Sequence, residues 1–237
     1  MKLAIVGAGT MGRIVADMAR QNPGIDQVSV IEPALGEGLD DVAQPDVIID
    51  FSHPDALPSI IRYLSEKGGQ VGAVFATTGY CSEDGEAIQK IAERAPVIRS
   101  SNFSYGVNTM RKILEFAAPL LSGCSDIEIV EKHHSLKVDA PSGTALMLAD
   151  ACDPEGRRER ICGREGESKR RSEIGIHSVR AGTVFGEHSV IFALKDEVIE
   201  VRHTAYSKTI FAKGAIEAAL WLAGRKPGFY SIEDVFY

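Results

Sequence analysis

Short apolar runs alternate with stretches of helical spacing through the first hundred residues. Lys2–Val6 is a nearly continuous apolar run, the pattern of a strand buried on both faces. Met11–Arg20 follows with apolar positions at helical intervals. Further runs at Gln27–Ile31, Asp46–Phe51, Val71–Phe75 and Pro96–Arg99 predict four more strands, with helices over Asp55–Glu66 and Glu83–Arg94. Pro58 suits the first of these helices only if it lies in the opening turn, where its missing N–H costs nothing. Strands alternating with helices imply βαβ units and a parallel sheet.

The pattern changes after residue 105. A long helix is expected over Asn108–Leu121, a strand over Ile127–Lys132 and a helix over Ser142–Cys152. Asp153–Glu173 is polar, with seven basic and three acidic side chains between residues 157 and 171, and reads as a solvated loop or a basic flap over an anionic ligand. Ile174–Ala181, His188–Leu194 and Val198–Ala205 read as strands. The last puts Ile199, Val201, His203 and Ala205 on one face and Glu200, Arg202 and Thr204 on the other. Turns at Gly182–Gly186 and Asp196-Glu197 predict an antiparallel meander. Ala212–Gly224 is a final apolar helix. The expected class is α/β: a Rossmann-like parallel-sheet domain over residues 1–105 and 211–237, and an α+β domain with a mixed, largely antiparallel sheet over 106–210.

Composition narrows the function. The 237 residues are 44% hydrophobic and carry 26 basic against 33 acidic side chains, net charge -7, so sequence-independent nucleic-acid binding is not expected. No apolar run approaches the roughly 18 residues of a membrane span. Met1–Gly12 superficially resembles a leader, but its glycines argue otherwise, and a cytoplasmic enzyme is expected. Cys81, Cys124, Cys152 and Cys162 match neither a disulfide framework nor a zinc motif. No His lies in an H-E-x-x-H pattern, so no catalytic metal is expected.

The first chemical motif is Gly7-Ala8-Gly9-Thr10-Met11-Gly12, directly after a strand and opening a helix. Gly7 permits a tight turn, Gly9 lets a pyrophosphate approach the backbone, and Gly12 lets helix and strand pack closely. A dinucleotide cofactor is the expectation, with a plain structural turn as the alternative. Glu32 ends the next strand, 20 residues after Gly12, where a carboxylate bonds a ribose 2′-hydroxyl and repels a 2′-phosphate. NADH and NADPH both stay open, with a lean toward NADH. Phe51-Ser52 and Thr77-Thr78-Gly79 follow later strands at the ends where α/β sheets bind ligands, and Ser101-Asn102-Phe103 begins a hinge between the halves.

The densest segment is Glu131-Lys132-His133-His134-Ser135-Leu136-Lys137-Val138-Asp139-Ala140-Pro141-Ser142-Gly143-Thr144. His133, His134 and Lys137 can each carry or donate a proton near neutral pH. Ser142, Gly143 and Thr144 open a helix whose free N–H groups and hydroxyls suit a carboxylate.

With these motifs the chain resembles the dihydrodipicolinate reductases over essentially its whole length. The glycine motif, Asp50–Ser52, Ala76–Gly79, Asn102–Asn108, Glu131–Ala145, Gly175–His188, Phe211–Leu222 and the Ile232–Phe236 tail carry the likeness. The resemblance implies reduction of 4-hydroxy-tetrahydrodipicolinate with loss of water, in the diaminopimelate route to lysine. It implies His133 as catalytic acid/base and Lys137 as a second proton donor near the ring nitrogen. It implies His134, Ser142, Gly143 and Thr144 on a small cyclic dicarboxylate, the 76–79 loop near the nicotinamide, and Asn102 and Phe103 near the cofactor. It also implies a homotetramer formed through the second sheet. The chain departs from the family in a shorter phosphate loop, in Lys208 where Arg is frequent, and in a short segment between Cys152 and Glu173. Another Rossmann-fold amino- or imino-acid dehydrogenase, or a non-catalytic dinucleotide sensor, would share the glycine loop without needing the His-His-x-x-Lys run.

Overall fold

The structure, a computed structural model, describes residues 1–237 as two compact units, Met1–Ser104 with Lys208–Tyr237, and Tyr105–Ser207. The first unit is built on six parallel strands in the order β11-β5-β4-β3-β1-β2. These are β1 (Lys2–Val6), β2 (Gln27–Ile31), β3 (Val47–Asp50), β4 (Gly72–Phe75), β5 (Pro96–Arg99) and β11 (Gly228–Tyr230). The apolar runs behave as doubly buried strands should, sending alternate residues to opposite faces. Leu3, Ile5 and Ile49 pack with helices α1 (Thr10–Arg20), α6 (Thr209–Leu222) and α7 (Ile232–Phe236). Ala4, Val6, Ile48 and Phe75 pack with α2 (Leu57–Lys67) and α3 (Ser82–Ile91). Pro58 does lie in the first turn of α2, after a 3-10 turn over Pro54–Ala56. Strand order reverses between β1 and β3, the switch point where such sheets open a crevice at their carboxyl ends.

The second unit holds α4 (Tyr105–Leu121), α5 (Gly143–Cys152) and five strands in the order β10-β9-β6-β8-β7. They are β6 (Asp126–His133), β7 (Glu159–Cys162), β8 (Glu173–Arg180), β9 (Gly186–Ala193) and β10 (Val198–Ala205). Two expectations fail here. β8 and β9 are not hairpin partners: β6 lies between them, parallel to β8 and antiparallel to β9. The 181–185 connection therefore crosses the end of β6, where Ala181 N–H donates to His133 O at 2.9 Å. Only the β9–β10 turn is a hairpin, with Asp196 at φ 65°. The polar 153–173 stretch is also not all loop: Glu159–Cys162 adds an edge strand parallel to β8.

One face of this sheet carries Ile127, Ile129, Ile174, Ile176, Val190 and Phe192, packed against Met110, Leu114, Leu148 and Ala149 of α4 and α5. The same face turns polar toward the carboxyl end of β6, where Glu131, His133, Arg180 and His188 follow in the alternation. The opposite face has ion pairs instead, Lys132–Glu187 at 2.6 Å and His177–Glu128 at 2.8 Å. No helix of the chain is long and apolar enough to cross a membrane.

Candidate active site

In the first unit, Gly7 N–H donates to Ile31 O at 2.8 Å and Phe51 N–H to Val6 O at 2.9 Å, which seats the glycine loop over the switch point. Gly7 has φ 102°, and a Cβ there would come within 2.4 Å of Phe51 O. At Gly12 a Cβ would meet Gly7 O at 1.8 Å, so this position is closed to any side chain. Gly9 is different: a Cβ would meet nothing within 4 Å. The open side of the loop is therefore at Gly9, the N-cap of α1, which begins at Thr10 and Met11 and carries no side-chain cap there. Arg13, unremarked in the sequence, folds back so that Nε donates to Ala8 O at 2.9 Å.

A cavity of about 840 Å³ adjoins this loop, lined by Gly7, Gly9, Glu32, Glu37, Phe51 and Ser52 among others. Glu32 accepts Ala8 N–H at 2.7 Å and Ala34 N–H at 3.2 Å, and Glu37 accepts Glu32 N–H at 2.8 Å. Two carboxylates thus stand on the rim. Arg62, the cation in the lining, is engaged by Asp40 at 2.6 Å and Glu66 at 3.0 Å. The open Gly9 backbone and the carboxylate at the end of β2 fit a dinucleotide.

Ser52 and Thr77 meet directly, Ser52 N–H donating to Thr77 Oγ1 at 2.9 Å. Beneath them lies buried Asp50, which accepts from Ser52 Oγ at 2.5 Å and Tyr80 OH at 2.5 Å. Burial beside Asp50 pushes the Tyr80 phenol well above its ordinary value. Asp50 and Tyr80 thus tie the two loops together, though only their neighbours stood out as contacts. Gly79 turns at φ 86°, and Thr78 and Ser101 are exposed. Asn102 is buried and accepts Ser104 N–H at 2.8 Å, while the Phe103 ring lies in the core with Ala212 and Ala215 rather than on an open surface.

The second unit gathers its polar groups at the end of β6. Glu131 is fully buried and sits 2.5 Å from His133 Nδ1. Arg180 donates to both its oxygens, at 2.8 and 2.7 Å, and Ser142 N–H donates to it at 3.1 Å. Burial opposes the charge on Glu131, but the hydrogen bonds from His133, Arg180 and Ser178 outweigh it and hold the carboxyl well below its usual range. An ionised Glu131 has no proton to give, so His133 Nδ1 is the donor and Nε2 points away from it. Nε2 lies beside Gly186, where a Cβ would approach to 3.2 Å. The His188 ring meets His133 edge-on, centroids 5.1 Å apart. Burial, then the neighbouring His133, pushes the His188 imidazole down to about 3. His203 lies directly across from His188 and is likewise lowered by burial.

Glu131, His133 and His188 could each offer one ligand atom within 4.8 Å of the others. The donor set does not fit a cation, because Arg180 covers both Glu131 oxygens and His188 Nε2 faces the Ser142 hydroxyl at 3.0 Å. Ser142 itself is spent internally: its hydroxyl also accepts Ala145 N–H at 3.1 Å, and the residue is 2% exposed. Gly143 opens α5 with nothing within 4 Å of a Cβ, and Thr144 follows half-buried. Lys137 Nζ is 2.7 Å from Asp139 Oδ1 in the turn after His134, which is itself half-buried. Glu131, Arg180, His188 and Gly186 did not stand out in the sequence as site residues.

Residues 1–103 match the family described as dihydrodipicolinate reductase, N-terminus, and residues 106–236 match dihydrodipicolinate reductase, C-terminus. A 4-hydroxy-tetrahydrodipicolinate reductase of Caldanaerobacter subterraneus subsp. tengcongensis is 41% identical over 249 residues, covering 99% of this chain and 98% of that one. One from Methanocorpusculum labreanum is 38% identical, covering 99% and 98%. A dipicolinate-bound dihydrodipicolinate reductase from Paenisporosarcina sp. shares the fold at TM-score 0.75 and 23% identity, covering 98% of this chain and 97% of that one. An aspartate dehydrogenase from Thermotoga maritima shares the fold more loosely, at TM-score 0.52 and 10% identity, covering 95% and 97%. With both halves matched and relatives near 40% identical along the full length, the chain belongs to the dihydrodipicolinate reductase family.

Proposed function

We propose that this chain reduces 4-hydroxy-tetrahydrodipicolinate to tetrahydrodipicolinate, preferring NADH to NADPH, with His133 and Lys137 handling protons. The observation that carries the site assignment is the convergence of Glu131, His133 and Arg180 with the open start of α5 in one unit. A bound nicotinamide supplies the hydride. The overall balance is one hydride and one proton in, and one water out, so the chain must give one proton to the departing hydroxyl, take one from the ring position beside it, and give one to the ring as hydride adds. His133 is set up for this, with Nδ1 fixed on Glu131 and Nε2 turned elsewhere. Lys137, on the turn that follows β6, acts as the second donor near the ring nitrogen. The N–H groups at Gly143 and Thr144, with His134, hold the dicarboxylate.

In the first unit, Gly7, Gly9, Thr10, Met11 and Gly12 cradle the pyrophosphate, and Glu32 binds the adenosine ribose. Glu32 and Glu37 together disfavour a 2′-phosphate, because Arg62 is already paired with Asp40 and Glu66. Phe51, Ser52, Thr77, Thr78 and Gly79 form the nicotinamide side, with Ser101 and Asn102 beside them. The helix-free sheet face of the second unit, with Val179 at 41% and Val198 at 61% exposed, supports a homotetramer through that sheet. A coupled assay tests the reading: a dihydrodipicolinate synthase makes the unstable substrate from pyruvate and aspartate semialdehyde, and NADH and NADPH oxidation are followed. Oxidation that requires the synthase supports it. Dinucleotide binding without such oxidation points to another imino-acid substrate or to a sensor.

A further inference from the structure

We propose that Arg180 is a positioning residue that fixes His133 and Lys137 relative to one another, through Glu131 on one side and Asp139 on the other. Arg180 ends β8, with its side chain 17% exposed. Its two terminal nitrogens take both oxygens of Glu131, at 2.8 and 2.7 Å, and Glu131 in turn orients His133. The same guanidinium donates to the Asp139 carbonyl at 2.5 Å, and the Asp139 carboxylate holds Lys137 Nζ at 2.7 Å. One planar fork therefore touches the supports of both proton-handling groups.

The turn from His134 to Pro141 is tied to the end of β8 at several points. Leu136 and Val138 are 85% and 97% exposed, so these apolar side chains do not anchor it. Its ties include Ser135 N–H to Gly182 O at 3.1 Å, Ser135 Oγ to the same carbonyl at 3.5 Å, and Lys137 N–H to His134 O at 3.1 Å. The 180–182 stretch thus sets where Lys137 stands, and Arg180 is the member that also reaches Glu131. A lysine at 180 keeps the charge but has no fork to span two partners.

The inference rests on the reading of His133 and Lys137 as the proton-handling pair. Arg180→Met and Arg180→Lys are compared with wild type in the coupled assay, with unfolding curves and ¹⁵N spectra of the histidine rings. In Arg180→Met, kcat falls about 100-fold while KM for NADH stays unchanged. In Arg180→Lys, kcat stays about tenfold or more below wild type, because charge alone does not restore the geometry. The His133 ring pattern changes from a single Nδ1–H tautomer to a mixture in both. A purely structural role would lower stability without this kinetic split or ring signature. If Arg180→Met does not fold, Arg180→Lys decides. Wild-type kcat, or an unaltered His133 tautomer, in a folded variant overturns the proposal. A wild-type chain inert in the assay overturns the functional reading instead, and the ring spectra then decide the positioning claim.

Discussion

The Ser142 hydroxyl stands 3.0 Å from His188 Nε2 and accepts Ala145 N–H at 3.1 Å, so it ties the buried imidazole to the start of α5. Burial keeps that imidazole neutral in the folded state. The His188 imidazole is lowered from 6.5 to about 3, chiefly by burial. The unfolded chain binds a proton on this ring as pH falls below 6.5 and the folded chain does not, so stability drops with falling pH down to about 3. Between neutrality and about pH 5 this removes about 2 kcal/mol. Glu131, held low, adds a loss of the same sign only below its ordinary 4.5. Urea unfolding at both pH values should show His188→Asn losing less stability than wild type by about that amount. Equal losses in the two proteins would refute the assignment.

The glycine loop separates two kinds of glycine. Gly12→Ala places a methyl 1.8 Å from Gly7 O and must push α1 from β1, costing about 1–3 kcal/mol and weakening NADH binding. Gly9→Ala meets nothing within 4 Å, so stability stays within about 0.5 kcal/mol while the methyl fills the space a phosphate needs. Thermal unfolding and NADH titration by fluorescence read both effects. A Gly9→Ala protein that binds NADH like wild type would place the pyrophosphate elsewhere.

Removing one rim carboxylate should shift cofactor choice. Glu32→Ser deletes the charge facing a 2′-phosphate, and the NADPH/NADH ratio of kcat/KM is expected to rise about tenfold or more. Glu32 also accepts Ala8 N–H, so some loss with NADH accompanies the change. An unchanged ratio would mean that preference is set outside this rim.

The first unit was largely legible because its central strands β1, β3, β4 and β5 are buried on both faces and announce themselves as apolar runs between helices, whereas the short edge strand β11 carries no such run and was missed. The second was legible in its elements but not in their order. Half-buried strands such as Glu173–Arg180 and Gly186–Ala193 show which residues face the core, not which strand lies next to which, so β6 between them was invisible. Strand β7 escaped notice because its neighbourhood is rich in charge, with Arg160 paired to Asp150 and Arg164 to Glu173. The segment proposed to handle protons stood out by its own residues, His133, His134 and Lys137. Its supports did not: Arg180 reaches Glu131 across 49 positions, and His188 reaches Ser142 across 46.

The most direct measurement is turnover of His133→Asn in the synthase-coupled assay, beside NADH binding and circular dichroism of the same protein. A loss of about 100-fold or more in kcat is expected, with the dinucleotide bound as in wild type and the fold intact. Turnover within twofold of wild type would contradict it, and would remove the end of β6 from the chemistry.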